Sequence, residues 1–119
     1  EWLSAAPVLV VVCADLKRSA SRYGELGAQV AVLDTAAAVQ NMLLAAVAVG
    51  LGSCWVSGFD AGALAGVLGL PGTTRPLAIL PLGFPAASPA APPRLPLEDV
   101  THGERFGRAY PPAAASGGR

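Results

Sequence analysis

The sequence predicts an α+β fold that is incomplete, on three observations. Apolar runs typical of strands occupy residues 8–14, 53–57 and 75–84, and helices are predicted over 36–49 and 61–68. The longer helix is apolar around nearly its whole circumference, which is typical of a helix buried on all sides. Three strands and two helices leave such faces uncovered, so we expect another chain or a missing segment to finish the fold.

Length, composition and charge narrow the class of protein. A chain of 119 residues holds one domain at most. Eight basic residues balance eight acidic ones, and charged residues make up 13% of the chain. The protein therefore lacks the positive electrostatic field that attracts nucleic acid or an anionic membrane. The apolar fraction of 53% exceeds the ~45–50% usual for soluble domains, and this excess predicts a partner. We expect one partial domain over 1–108 and a disordered tail over 109–119, where Pro, Ala, Ser and Gly dominate.

The N-terminal part predicts a strand and then a loop. The run from Val8 to Ala14 is apolar without alternation, as in a central strand that is covered on both faces. Residues 15–27 carry most of the early charge and two glycines, which favours a surface loop with room for a helical turn.

The best-supported element is the long helix. Asp34 and Thr35 are a suitable N-cap pair, no Gly or Pro interrupts 36–49, and Gly50 is a suitable C-cap. Its polar interruptions are Gln40 and Asn41, whose amides we expect to bond backbone across an interface rather than to touch a ligand. The pattern predicts a helix packed at a subunit interface.

The remaining elements follow from local signals. A short strand over 53–57 ends at Gly58, and Asp60 caps the helix over 61–68. In the third strand Pro81 removes one ladder donor, which predicts a sheet edge or a bulge. Residues 85–93 are rich in Pro and Ala and read as extended, and 94–108 are polar with a short helical turn.

The inventory of reactive residues predicts no catalytic side chain. Cys13 and Cys54 lie in apolar runs and are predicted to be buried free thiols. One His and two distant Cys give no metal-ligand spacing, and no Ser-His-Asp set, phosphate loop or dinucleotide fingerprint is present. The chain starts without signal-peptide features and its apolar stretch is short for a bilayer, so we expect a cytoplasmic protein without a membrane role.

One long segment resembles a known family. Residues 34–59 read D-T-A-A-A-V-Q-N-M-L-L-A-A-V-A-V-G-L-G-S-C-W-V-S-G-F, with P-L-G-F-P at 81–85. This resembles the nitroreductase family of FMN-dependent oxidoreductases over about residues 2–107, as the C-terminal half to two-thirds of that fold. The resemblance implies an incomplete nitroreductase-like fold, in which a small, mainly antiparallel sheet packs on a long buried interface helix and a partner chain completes the structure.

The resemblance also implies a cofactor site. The segment Trp55, Val56, Ser57 and Gly58 matches the one that passes the flavin ring in the family, where a backbone N–H at the positions of Ser57 and Gly58 bonds the flavin N5. A small residue and a glycine permit that close approach. Arg94 matches a position that reaches the flavin phosphate. The alternatives are a plain turn at Gly58, core packing of Trp55 and a solvated Arg94.

Part of the family pattern is missing. The N-terminal helices with their Arg-rich, phosphate-gripping motif and the lid helix pair have no counterpart, so this chain alone should not hold FMN well. The resemblance also implies a partner, because members of the family are intertwined homodimers with flavins at the interface. The cyclic dipeptide oxidases, which resemble this family, pair a larger subunit with a small one.

These implications predict a subunit of a flavin-dependent oxidoreductase. It would help form an FMN site at a subunit interface for a small organic substrate, a cyclic dipeptide being one example. The partner would be a larger nitroreductase-like subunit or a second copy, in a closed oligomer or a filament. Two alternatives stay open: a non-catalytic assembly subunit that binds no flavin, and a fragment of a full-length reductase.

Overall fold

The computed structural model describes residues 2–110, without the side chain of Trp2. The described chain divides after Ala87 into two units, which are treated separately below. Most of the tail predicted over 109–119 lies outside the described residues. The first unit contains β1 (Val8–Asp15), α1 (Leu16–Tyr23), α2 (Gly27–Ala48), β2 (Gly52–Ser53), α3 (Ala61–Leu68) and β3 (Thr74–Gly83), and the second contains α4 (Leu97–Val100).

The sheet is antiparallel, and its centre is β3. The three strands lie in the order β1-β3-β2, so the prediction that the first strand is central was wrong. Half of the residues of β3 are buried, whereas β1 is half-buried over residues 10–13 and exposed at Val8 and Leu9. The unbroken apolar pattern of β1 shows that both of its faces are apolar, which is typical of a central strand. The described chain covers these faces only in part, and β1 lies at the edge of the sheet.

Pro81 lies in the central strand and shapes its pairing. Val56 and Ile79 exchange two backbone hydrogen bonds of 3.0 and 2.9 Å, and two residues further along β3 Pro81 stands opposite Cys54. In an antiparallel ladder that would be the next hydrogen-bonded pair, but proline has no N–H to donate. The strand predicted over 53–57 is therefore reduced to β2 and a single bridge at Val56. A separate bulge interrupts the pairing of β1 with β3 between Val12 and Cys13.

The charged segment after β1 is a helix, not the predicted loop. Asp15 is the N-cap of α1, and its side chain accepts a 3.0 Å hydrogen bond from the Arg18 N–H. The helix ends where Gly24 takes a φ of 57°. A solvated helix with one good cap has no apolar stripe long enough to identify it in the sequence.

The long helix begins earlier than predicted, at Gly27 rather than after Asp34. Asp34 and Thr35 lie inside α2 and do not cap it, because contact with α1 fixes the start: a Cβ on Gly27 would stand 2.5 Å from Ala20 backbone atoms. Its C-terminus is as predicted. Gly50 has a φ of 78° and donates to Val47, while Leu51 donates to Ala46 over 2.8 Å, which is a Schellman motif.

The core is small, and it leaves most of α2 exposed. Val39, Ala78 and Leu80 form its centre, with Val10, Val12 and Leu43 packed around them. Only Gly27, Ala31, Val39 and Ala46 of α2 are buried. The described chain thus covers α2 only in part, as the sequence predicts, and Gln40 and Asn41 are exposed. The exposed large apolar side chains of α2 are Val32, Leu33, Met42, Leu44 and Val47.

By length and composition alone, the helical stretch Leu16–Ala48 could cross a membrane. An apolar helix that is covered by protein passes the same test. The absence of a membrane role stays a prediction.

The smaller elements agree with the sequence. The Asp60 carboxylate accepts from the Ala63 N–H over 2.9 Å at the start of α3, and Gly69 ends this helix in the left-handed conformation. In the second unit, α4 is the short helical turn predicted within 94–108, and Thr101 Oγ1 donates to the Leu97 carbonyl at its end. Beyond it, Glu104 and Arg108 form an ion pair.

Candidate functional site

The candidate site is the segment that follows β2 along the sheet. The Val56–Ile79 bridge anchors it to the buried central strand, so its backbone position is fixed at one point. Ser57 and Gly58, directly after the anchor, are exposed. Within residues 2–110 neither of their backbone N–H groups donates a backbone hydrogen bond. The arrangement presents free donors on an exposed surface beside a rigid strand.

Gly58 is the residue of this segment that a side chain would change most. A Cβ built there meets no heavy atom within 4 Å, and the φ of Gly58 lies outside the left-handed region. Its backbone conformation is therefore open to any residue, and a turn does not explain the glycine. What the glycine provides is open space above the backbone, which a planar ligand can approach.

Trp55 and Cys54 are exposed, contrary to two sequence interpretations. The Trp55 side chain keeps 39% of its surface accessible, so core packing was wrong for it within this chain. Cys54 is exposed, so the prediction of a buried thiol was wrong for it. Cys13 is half-buried on β1, and this burial raises the pKa of its thiol.

Arg94 lies in the second unit, apart in the sequence from the other predicted site residues. It is exposed, in a stretch of 88–96 that forms neither helix nor strand. No carboxylate pairs with its guanidinium among the described residues. Its five donors are free for a ligand, as a phosphate contact requires. Thus Trp55, Val56, Ser57 and Gly58 form one continuous segment, and Arg94 is a separate element.

Two apolar cavities flank the sheet. One of 310 Å³ lies between residues 5–7, the β2 segment and 81–86, and beside it Ser53 Oγ is buried with no hydrogen-bond partner in the described chain. The other, of 300 Å³, lies against the C-terminal half of α2 and is almost wholly apolar. None of the predicted cofactor residues lines either cavity. The Ser57 and Gly58 surface is therefore one open wall rather than an enclosed pocket.

A third cavity, of 460 Å³, was not anticipated from the sequence. It lies between the end of β1, α1 and α2, and its polar side chains come from Cys13, Asp15, Arg18, Ser19, Arg22, Tyr23, Asp34 and Thr35. The sequence predicted a loop over 15–27 and a helix start at Asp34, so the two helices that form the cavity walls were not expected there. The available signal was the spacing of Arg18 and Arg22, which places both on one face of a helix.

The comparisons with known proteins agree with this fold. The sequence model of the Nitroreductase family matches residues 1–84. The NADPH-flavin oxidoreductase of Vibrio harveyi is 30% identical over 113 residues, which are 88% of this chain and 47% of that protein. The FMN reductase (NADPH) of Bacillus subtilis is 35% identical over 106 residues, 77% of this chain and 43% of that protein. The solved structure of the hypothetical oxidoreductase YcnD from Bacillus subtilis superposes with a TM-score of 0.78 at 31% identity, covering 88% of this chain and 48% of that one.

The chain belongs to the nitroreductase family. It spans less than half the length of each of these relatives. The α+β fold with a small antiparallel sheet and a long helix is thus part of the family's fold, as the sequence predicts, and this part leaves apolar faces of α2 exposed.

Proposed function

We propose that this chain forms one wall of an FMN site in a flavin-dependent oxidoreductase, and that a second polypeptide surface supplies the rest of the site. The observation that carries the proposal is the pair of unengaged backbone N–H groups at Ser57 and Gly58, next to open space and anchored by Val56. The names of the relatives, a flavin oxidoreductase and an FMN reductase, support FMN as the cofactor.

The residues present fit a flat, hydrogen-bond-accepting cofactor. The absence of a Cβ at Gly58 lets a ring lie against the backbone, and the exposed Trp55 side chain adds apolar surface nearby in sequence. A donor held by the sheet needs no rearrangement to bond the ring N5, and such fixed dipoles are what a protein contributes to cofactor chemistry. FMN, when bound, supplies the hydride transfer.

The anionic end of the cofactor requires a cation. Arg94 is the candidate from this chain, because its guanidinium is exposed and unpaired among the described residues and its planar fork suits phosphate oxygens. A single arginine is a weak phosphate site, so we assign most of the phosphate contacts to the completing surface.

The substrate in this proposal is a small organic molecule that is oxidised or reduced at the flavin, and a cyclic dipeptide is one candidate. Residues 55–59 carry no titratable side chain, and the Asp60 carboxylate that follows them is engaged as the N-cap of α3, so we assign no general acid or base to this chain there. The chain's part is to position the ring and to keep water from one of its sides. We place the assembly in the cytoplasm.

The completing surface is either a second copy or a larger nitroreductase-like chain. Apolar side chains of α2 such as Leu44 and Val47 are exposed by 60% and 72% in this chain, which is typical of a surface that another polypeptide covers. The coverage of less than half of each relative supports the same reading.

Flavin retention tests the proposal. The full chain is purified alone and with the product of its neighbouring gene, each is supplied with FMN, and bound flavin is measured by absorbance after gel filtration. Retention in either preparation is the expected result. If both stay colourless although the chain assembles, the flavin role is wrong and the assembly-subunit alternative replaces it.

The Gly58→Val variant tests the assigned surface. Its side chain fills the space that the ring needs, so we expect at least a tenfold loss of bound flavin with assembly unchanged. Gly66→Val is the matched control, because Gly66 is also exposed with no atom within 4 Å of a Cβ, but lies on α3. Equal flavin content in the two variants would contradict the role of Gly58.

A further inference from the structure

The 460 Å³ cavity between α1 and α2 is the most polar of the three that were described above. Its volume lies within the ~300–1,000 Å³ range of small-molecule sites. The floor is small and closed, since Ala14 and Ala31 are 5% and 6% exposed. None of the residues assigned to the flavin lines it, so it is a separate feature of the molecule.

Two arginines on one wall of the cavity have no anionic partner. Arg18 and Arg22 are four residues apart on α1, and no ion pair or side-chain hydrogen bond among residues 2–110 engages either guanidinium. Arg22 instead lies 5.6 Å from the centre of the Tyr23 ring, a contact that restrains the cation without accepting its N–H groups. Guanidinium forks of this kind are suited to carboxylate or phosphate.

The acidic side chains of the cavity differ in their commitments. Asp15 holds the N-terminus of α1 through its bond to the Arg18 N–H, so part of its charge is balanced there by the helix end. Asp34, on the facing wall from α2, has no ion pair or hydrogen bond in the described chain. A ligand in the cavity therefore meets two cations on one side and one free carboxylate on the other.

The walls are held in place by close packing. Ser19 Oγ donates a 2.6 Å hydrogen bond to the Gly27 carbonyl, and Gly27 packs directly on Ala20. These contacts fix α1 against the start of α2, so the cavity is preformed and a ligand bears little ordering cost.

We propose that this cavity binds the oxyanion of a small molecule, a phosphate ester or a carboxylate, through Arg18 and Arg22. Asp34 faces the same ligand and favours one that also carries a hydrogen-bond donor or an ammonium group. The site stands independently of the flavin proposal, because it uses none of the same residues.

The test is a titration of the isotope-labelled full chain with inorganic phosphate and, separately, with acetate, at constant ionic strength set by chloride. Arginine side-chain N–H resonances are followed by NMR. We expect saturable shifts at Arg18 and Arg22, and the anion that binds more tightly identifies the ligand as a phosphate ester or a carboxylate. Absence of a saturable shift with both anions overturns the proposal.

Charge variants make the test specific. Arg18→Gln and Arg22→Gln should each weaken binding of the better anion at least tenfold, and Lys17→Gln, which alters an exposed cation of α1 outside the cavity, should leave it within twofold. Asp34→Asn should tighten binding about threefold, with Glu25→Gln as its control. Arg18, Arg22 and Asp34 line the cavity, whereas the control residues Lys17 and Glu25 do not. All five side chains are exposed, so we expect every variant to fold. Equal weakening by Lys17→Gln would show nonspecific attraction and overturn the site.

Discussion

At the scale of single residues, the two cysteines differ in a way that labelling can measure. Cys54 is exposed, whereas Cys13 is half-buried and its thiol has a pKa raised by that burial. The thiolate is the reactive form, so a raised pKa lowers the reactive fraction at neutral pH. We predict that iodoacetamide at pH 7.5 modifies Cys54 at least about tenfold faster than Cys13. Peptide mass spectrometry gives the two rates.

The pH dependence has a definite sign. Because burial raises the pKa of the Cys13 thiol above its ordinary value, its rate should keep rising with pH beyond the range in which an ordinary thiol becomes fully ionised. The Cys54→Ser variant isolates the slower thiol for this measurement. Faster modification of Cys13 at pH 7.5 would contradict the structure at both positions.

Residue identity alone indicates some of the candidate site and hides the rest. Gly58 could be marked from the sequence because a glycine after a strand, within the family-like segment, admits a close ligand. The exposure of Trp55 could not be deduced, since an aromatic residue in an apolar run usually packs inside. Nor could the unpaired state of Arg18 and Arg22, because it depends on where α2 begins.

At the scale of elements, local signals predict helix ends well where a terminal residue must adopt a special conformation. Gly50 and Gly69 have φ values of 78° and 63°, and both end their helices as predicted. The start of α2 at Gly27 carries no such requirement, as its φ is −55°. Contact with α1 determines that boundary, and a contact between elements has no local signature in the sequence.

Strand order shows the same limit. The missing donor at Pro81 follows from proline chemistry, which the sequence displays, but Pro81 lies in the central strand and the bulge lies elsewhere, so the predicted edge or bulge at Pro81 is wrong. Which strand is central depends on how the faces are covered. Both β1 and β3 are apolar without alternation, so pattern alone could not distinguish the half-exposed edge from the buried centre.

The junction of α1 with α2 gives an element-scale prediction. In Gly27→Ala the new methyl group would stand 2.5 Å from Ala20 backbone atoms, so the helices must separate, and we expect a loss of about 1–3 kcal/mol in the free energy of unfolding. Urea unfolding of the full chain, followed by circular dichroism, measures it.

Gly66→Ala is the matched control for that variant. Gly66 lies within α3 with no atom within 4 Å of a Cβ, so the same change should stabilise the protein by about 0.5–1 kcal/mol through helix propensity. The opposite signs separate packing from propensity. A stabilised Gly27→Ala protein would mean that α1 and α2 are not in close contact.

At the scale of the whole molecule, incompleteness is the property that the sequence predicts best. An apolar fraction of 53% in so few elements cannot be buried internally, and the structure exposes the excess along α2. The sequence does not indicate which surface covers these apolar side chains of α2, because no element among the described residues does so. The predicted interface role of α2 is therefore a proposal that association measurements must test.

The apolar cavity beside α2 locates the most sensitive point of that proposed interface. Ala45 lines it together with Met42, Val49 and Leu51, and Ala45 is exposed in the chain by itself. In Ala45→Glu the carboxylate would remain solvated in the free chain but would be buried without a partner in the assembly. An unpaired buried charge costs about 3–5 kcal/mol, so we expect association to weaken by at least about a hundredfold.

Sedimentation velocity of the full chain, alone and with its neighbouring gene product, measures this loss. Ala63→Glu is the control, because it adds the same charge to an exposed position in the first turn of α3, where a carboxylate near the helix N-terminus is favourable. Circular dichroism should show both variants folded. An Ala45→Glu chain that associates as tightly as the Ala63→Glu chain would remove this face of α2 from the interface, and the completing surface would then have to cover the opposite side of the helix, around Val32 and Leu33.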